Sequence, residues 1–442
     1  MSPMNTNEFP VISTSKLQSL MNHPDVRIID VRCVNAYNGW KNKNEKRGGH
    51  IKGAKSLPLK WIRYLDWIEI VESKGIKPNH KLIIYGYEND EAKQVALHFS
   101  KAGFVDIHLY HGFVDEWTAD ENLPMEQLAR YQHLVSAEWL QTLINTGSAP
   151  EYNNNRYVLC HAHYQNREAY TEGHIPTAID LDTNLLESNE TWNRRTPEEL
   201  YEVFKQLGIT AETTVILYGR FSYPDNNDPF PGSSAGQLAA MRCALIMMYA
   251  GVKDVRILNG GLQSWNDAGY DTTTEEFKAP PVDDFDANIP VHPEYIIDTP
   301  QAKEMLLHPH MNLVSVRSWR EFIGEVSGYH YIEKKGRIPG AVFGNCGSDA
   351  YHMENYRNLD HTTREYHEIQ HIWGEVGITQ DKHNAFYCGT GWRGSEAWFN
   401  AWLMGWPHVS VYDGGWFEWS NQDNPHQTGN PYDEEIQTIQ GI

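Results

Sequence analysis

One sixteen-residue pattern occurs three times along the chain, and it limits the possible folds more than any other feature. It reads AGFVDIHLYHGFVDEW at 102–117, AGVKDVRILNGGLQSW at 250–265 and MGWPHVSVYDGGWFEW at 404–419. Each copy predicts a helix end, a glycine cap, a short β run, a glycine turn and a tryptophan that closes onto a core. The copies stand much farther apart than the roughly 20–50 residues of a stacking solenoid unit. The repeating unit is therefore a whole domain.

Two further markers recur in step with it. GHIKGA at 49–54, GHIPTA at 173–178 and GRIPGA at 336–341 each follow a strand-like run, at 27–32, 157–161 and 312–317. A second apolar run comes later in each unit, at 81–86, 214–219 and 385–388. Short apolar strands alternating with helical stretches predict an α/β fold with a mainly parallel sheet, flanked by helices, in every unit. Linker-like stretches near 120–127 and 277–286 place the domains at 1–125, 126–280 and 281–442.

The units differ at the end of that second run. In the third it leads into Cys388-Gly389-Thr390-Gly391-Trp392-Arg393 and then a helix predicted from Gly394 to Met404. Glycines let backbone amides turn inward around the sulfur, and the positive end of the helix dipole points at the same place. Such a cradle favours a thiolate, which makes Cys388 the candidate nucleophile and Gly389, Thr390, Gly391, Trp392 and Arg393 its candidate substrate-binding loop. The bland alternative is a buried structural cysteine, with Arg393 paired to a nearby carboxylate such as Glu396. In the first unit GYENDE at 86–91 stands at the loop position, and in the second a long polar insertion between Gly219 and Gly236 replaces it. Neither offers a nucleophile, so both units are expected to be inert.

These features resemble the rhodanese superfamily, above all three-domain bacterial thiosulfate sulfurtransferases. The resemblance implies three rhodanese-like domains, two inactive and a third catalytic. Cysteine phosphatases that are similar in design hold five residues between Cys and Arg; here there are four, a ring of amides suited to a sulfur on Cys388 and cramped for phosphate. The implied reaction is transfer of a sulfane sulfur from thiosulfate through a Cys388 persulfide to cyanide or a thiol. In that reading Arg393 orients the anionic donor and Thr390 assists the leaving group. Trp392 forms a wall against the next domain or packs inward. A 3-mercaptopyruvate donor, or a carrier that takes persulfide from a cysteine desulfurase, stands as the alternative.

The formal charge of −21 argues against nucleic acid and anionic membranes as partners. It leaves a small anionic sulfur donor, and a thiol or protein acceptor, as the expected ones. The five cysteines are scattered, with no metal-binding CxxC, and the Cys160-His161-Ala162-His163 run makes a poor chelate because alternate strand residues face opposite ways. No metal or cofactor is expected. The N-terminal residues lack a basic, then apolar, export pattern, so the expected compartment is the cytoplasm, or the periplasm if a signal has been trimmed. Cys346 is a candidate resolving thiol, with a buried structural role favoured. Arg317, on a segment where Ser315 replaces the usual aspartate, is expected to tie its strand to the body of the domain, and Arg337 adds charge nearby.

Overall fold

The structure, a computed structural model, describes residues 8–221 and 235–432. The chain separates into two compact units, residues 1–132 and 133–442; the first contains one parallel sheet and the second contains two. The predicted α/β architecture of three domains is what forms.

The three sheets share one strand order. In the second domain it runs Leu134–Val135, Asp254–Leu258, Thr214–Tyr218, Tyr157–His163, Ala178–Asp182, all parallel. In the third it runs Ile296–Ile297, Val409–Tyr412, His383–Tyr387, Met311–Ser315, Val342–Phe343, again all parallel. The first sheet runs Ile107–Leu109, Lys81–Tyr85, Val26–Asp30, Lys55–Ser56, and a parallel bridge from Val11 to Leu109 supplies the missing edge. The central strands are apolar along their length because helices cover both faces. Ile83, Ile216 and Phe386 are fully buried.

The repeat persists in the side chains. Trp117, Trp265 and Trp419 are buried, and each donates its indole N–H to a carbonyl a few residues downstream, on Pro124 (3.3 Å), Asp271 (3.0 Å) and Pro425 (2.8 Å). The tyrosines closing two central strands, Tyr85 and Tyr218, accept the backbone N–H of Ile51 and Ile175 from the Gly-His-Ile markers. Arg32 and Arg317 each donate at 2.7 Å to the carbonyl that opens the marker of their domain, on Gly49 and Gly336. Asp30 pairs with Arg32; where Ser315 replaces that aspartate, Glu321 faces Arg317 at 3.4 Å. Arg317 thus ties its strand to the domain body, and Arg337 donates to the Gly429 carbonyl over the Phe322 ring rather than facing solvent.

Both linker-like stretches lie along their own domains. Met125–Glu126 pairs antiparallel with His50–Ile51, and Leu128 N–H bonds to the Asn38 carbonyl. In the second stretch Phe285 is buried, its carbonyl accepts Ala211 N–H, and Val282 N–H reaches Lys205. Leu123 in the first stretch and Phe285 in the second are buried against the domain just completed. Among the described residues no helix is long and apolar enough to cross a membrane.

Candidate active site

Cys388 occupies the end of the strand His383–Tyr387 and is fully buried in the present state. The helix begins at Trp392 rather than Gly394, because Gly391, at φ +92°, turns the chain straight into its first turn. Trp392 and Arg393 thereby join the turn whose N–H groups have no intrahelical acceptor. Two loop carbonyls are drawn away from that side: Cys388 O accepts Trp416 N–H at 2.8 Å and Gly389 O accepts Phe417 N–H at 2.9 Å. Across a planar trans peptide the N–H points opposite to the C=O, so the amides of Gly389 and Thr390 face the other way. Gly389 has no room for a side chain, since a Cβ there would stand 2.1 Å from the Tyr329 ring.

The structure places Arg393 differently from expectation. Its guanidinium is wholly buried and forked onto Glu321, both bonds at 2.9 Å, with further bonds to Tyr329 Oη (2.8 Å) and Asp349 O (3.2 Å). Burial opposes ionisation of Glu321, but Arg393 and then Arg317 hold its carboxyl down at about 2. The anticipated partner Glu396 pairs instead with Arg357. The positive charge expected to meet an anionic donor is therefore matched by a carboxylate inside the domain. Cys346 also contacts Arg393, at 3.3 Å, and burial pushes its thiol up to about 12, which suits a structural cysteine rather than a resolving one. In the second domain His163 bonds Asp180, His174 stacks on Tyr170, and His161 is buried against Tyr218.

Thr390 and Trp392 do reach open space. They border a cleft of about 330 Å³ between the second and third domains, lined by Tyr164 and Trp192 from the second and Tyr329, Tyr331 and Tyr351 from the third. Trp192 stacks on Tyr331 with centroids 5.3 Å apart. Trp392 meets Tyr164 edge-on at 5.8 Å, so it stands as a wall towards the second domain. Burial pushes the Tyr329 and Tyr331 phenols well above their ordinary range, so both remain O–H donors. Among the described residues, no arginine or lysine lines the cleft.

Sequence reasoning missed these aromatic walls. The available signal was Tyr329-His330-Tyr331, a dense aromatic run inside an otherwise charged loop. Nothing local marks Tyr164 or Trp192 as neighbours of Cys388.

Known proteins match this geometry. The rhodanese-like domain model matches residues 13–120, 136–268 and 298–422. Thiosulfate sulfurtransferase YnjE of Escherichia coli K12 is 37% identical over 410 residues, covering 91% of this chain and 89% of that protein. Sulfur carrier protein TtuD of Thermus thermophilus is 30% identical over 302 residues, 65% of this chain and 93% of that one. Among solved structures, EanB with hercynine bound superposes with a TM-score of 0.94 at 57% identity, covering 97% of this chain and all of that one. Another EanB structure holds ergothioneine covalently linked with a persulfide cysteine; its TM-score is also 0.94.

Proposed function

The chain belongs to the rhodanese-like family of sulfurtransferases with persulfide-cysteine chemistry, and on that premise we propose that its acceptor is a histidine betaine such as hercynine. The observation that carries this reading is the cleft beside Thr390 and Trp392: six tyrosine and tryptophan side chains around a small volume, with no arginine or lysine among the described residues that line it. Aromatic faces attract quaternary ammonium groups, and a desolvated contact of that kind contributes about 2 kcal/mol. An anionic acceptor would gain nothing from Arg393, whose charge is matched by Glu321. The EanB structures in complex with hercynine and with ergothioneine support the same acceptor class.

The reaction balances without an external oxidant. A donor such as thiosulfate loads Cys388: its S–S bond breaks, sulfite leaves with the electron pair, and the outer sulfur stays on Cys388 as a persulfide. Imidazole C2 then forms a C–S bond to that sulfur, the Cys388 S–S pair returns to the cysteine, and the C2 proton departs to give the thione. Loop amides stabilise negative charge on sulfur in both steps. The Tyr329 and Tyr331 hydroxyls are the groups beside Cys388 able to donate to the ring as charge shifts.

The test is to load Cys388 with thiosulfate or polysulfide and follow discharge by mass spectrometry with hercynine, histidine and cyanide. Discharge to hercynine with formation of the thione, and much slower discharge to histidine, is the expected result. A persulfide that cyanide removes and hercynine leaves untouched rules the acceptor out.

A further inference from the structure

The second domain, whose sequence has no cysteine at the loop position, grips the Cys388 loop of the third. The Trp392 indole N–H donates to Glu187 Oε1 at 2.8 Å, and the other oxygen of Glu187 accepts Arg242 Nε at 2.8 Å. Arg242 continues to Asp413 Oδ1 (2.6 Å) and the Trp192 carbonyl (3.0 Å), and its Nη1 lies 3.1 Å from where a Cβ on Gly391 would be. Arg194 pairs with Asp413 at 2.9 Å and with Asp298 at 2.8 Å. Glu187, Arg242 and Asp413 are fully buried. One carboxylate of the second domain therefore touches the first helical residue after the cysteine loop, while its arginine closes over the glycine before it.

A mirrored arrangement in the third domain makes an accidental contact a poor explanation. Arg242 and Glu396 each stand nine residues before the pattern glycine, Gly251 or Gly405. Glu187 bridges to Arg194 across a hairpin and pairs with Arg242; Arg357 bridges to Thr363 across a hairpin and pairs with Glu396, with the charges exchanged. The tenth pattern residue, Asn259 or Asp413, accepts a backbone N–H from the opposite hairpin, Thr363 at 2.8 Å or Arg194 at 2.9 Å. Each hairpin also holds an aromatic ring of the facing domain: Glu187 holds Trp392, and Arg357 lies 4.7 Å over Phe221.

We infer that Glu187, clamped by Arg242, is a positioning residue supplied by the second domain, which fixes the Cys388 loop and the cleft wall through the Trp392 indole. The inference rests on the cleft being the acceptor site. Burial pushes the Glu187 carboxyl up to about 7 against the pull of Arg242; Asp413, Tyr164, Cys243 and Asp182 are the other titratable groups around it.

The experiment is a double-mutant cycle on persulfide discharge, run in parallel with hercynine and with cyanide. Glu187→Ala is expected to slow discharge about tenfold in the native chain but no more than about twofold in a Trp392→Phe background, with the amount of persulfide loaded on Cys388 unchanged. Equal losses in both backgrounds overturn the inference, as does an unaltered rate in the native background. Should the alanine variant not fold, Glu187→Gln is read in the same cycle, with a loss of about threefold confined to the native background. If native persulfide is never discharged to hercynine, the proposed acceptor fails, and the cyanide series alone decides the positioning role.

Discussion

The second and third domains present the same strand end with different contents. Gly219 and Cys388 both follow a strand-closing tyrosine, and both offer their carbonyl to the helix that opens in the repeated pattern, through Leu262 N–H (3.0 Å) and Trp416 N–H (2.8 Å). Beyond that point Cys388 leads within four residues into a twelve-residue helix, whereas Gly219 is pressed against Gly236, where a Cβ would meet a carbonyl oxygen at 2.0 Å. The bracing of the loop is thus a property of the scaffold, and the chemistry is a property of what the brace holds. The second domain, with no cysteine at that strand end, keeps the bracing, and here it lends a carboxylate to its neighbour.

Replacing the one sulfur breaks the comparison most completely. Cys388→Ser is expected to lower sulfur transfer by at least about a thousandfold, with no persulfide on the intact protein by mass spectrometry and an unchanged melting temperature. A persulfide surviving on Cys160 or Cys243 would mean that the second domain is chemically alive.

Next in size are the buried arginines of the two facing helices. Arg242→Ala removes the only arginine paired with Glu187 among the described residues and leaves Asp413 to Arg194, and Arg393→Ala leaves Glu321 only the longer contact to Arg317; each is expected to cost about 3–5 kcal/mol in urea unfolding. If Arg393→Ala leaves stability intact and removes only activity, Arg393 is a substrate group after all. A smaller effect comes from the charge-exchanged pair of the third domain. A cycle on Arg357 and Glu396 should return a coupling of about 1–3 kcal/mol, and a coupling near zero would dissolve the mirror relation with Glu187 and Arg242.

The smallest effect is a slope with pH. Glu187 loses its proton near 7 when folded and near 4.5 when unfolded, so the folded chain binds the extra proton between those values and its stability falls as pH rises across them. Glu187→Gln should abolish that decline. Glu321, held near 2 when folded, acts in the opposite sense: its stabilisation is complete above 4.5 and fades as pH drops towards 2. Urea titrations at stepped pH separate the two windows.

The architecture was legible because it is written locally and three times: glycine caps, strand runs and closing tryptophans are short-range signals. The place of Cys388, among glycines at a strand end, was legible for the same reason. Arg393 misled, since its partner Glu321 lies 72 positions away and the nearer Glu396 is taken by Arg357. The aromatic cleft and Glu187 were invisible, because they arise only when the second domain lies against the third. Glu187 and Trp392 stand 205 positions apart, and no spacing rule spans that distance.

Asp413 finds arginines because the face opposite belongs to the second domain. Were two third domains to meet in the same manner, each Asp413 would confront the other's Glu396, carboxylate against carboxylate in a space closed to water. Opposite polarity in otherwise matching halves therefore makes the second domain, and not a second copy of the third, the face that Asp413 fits.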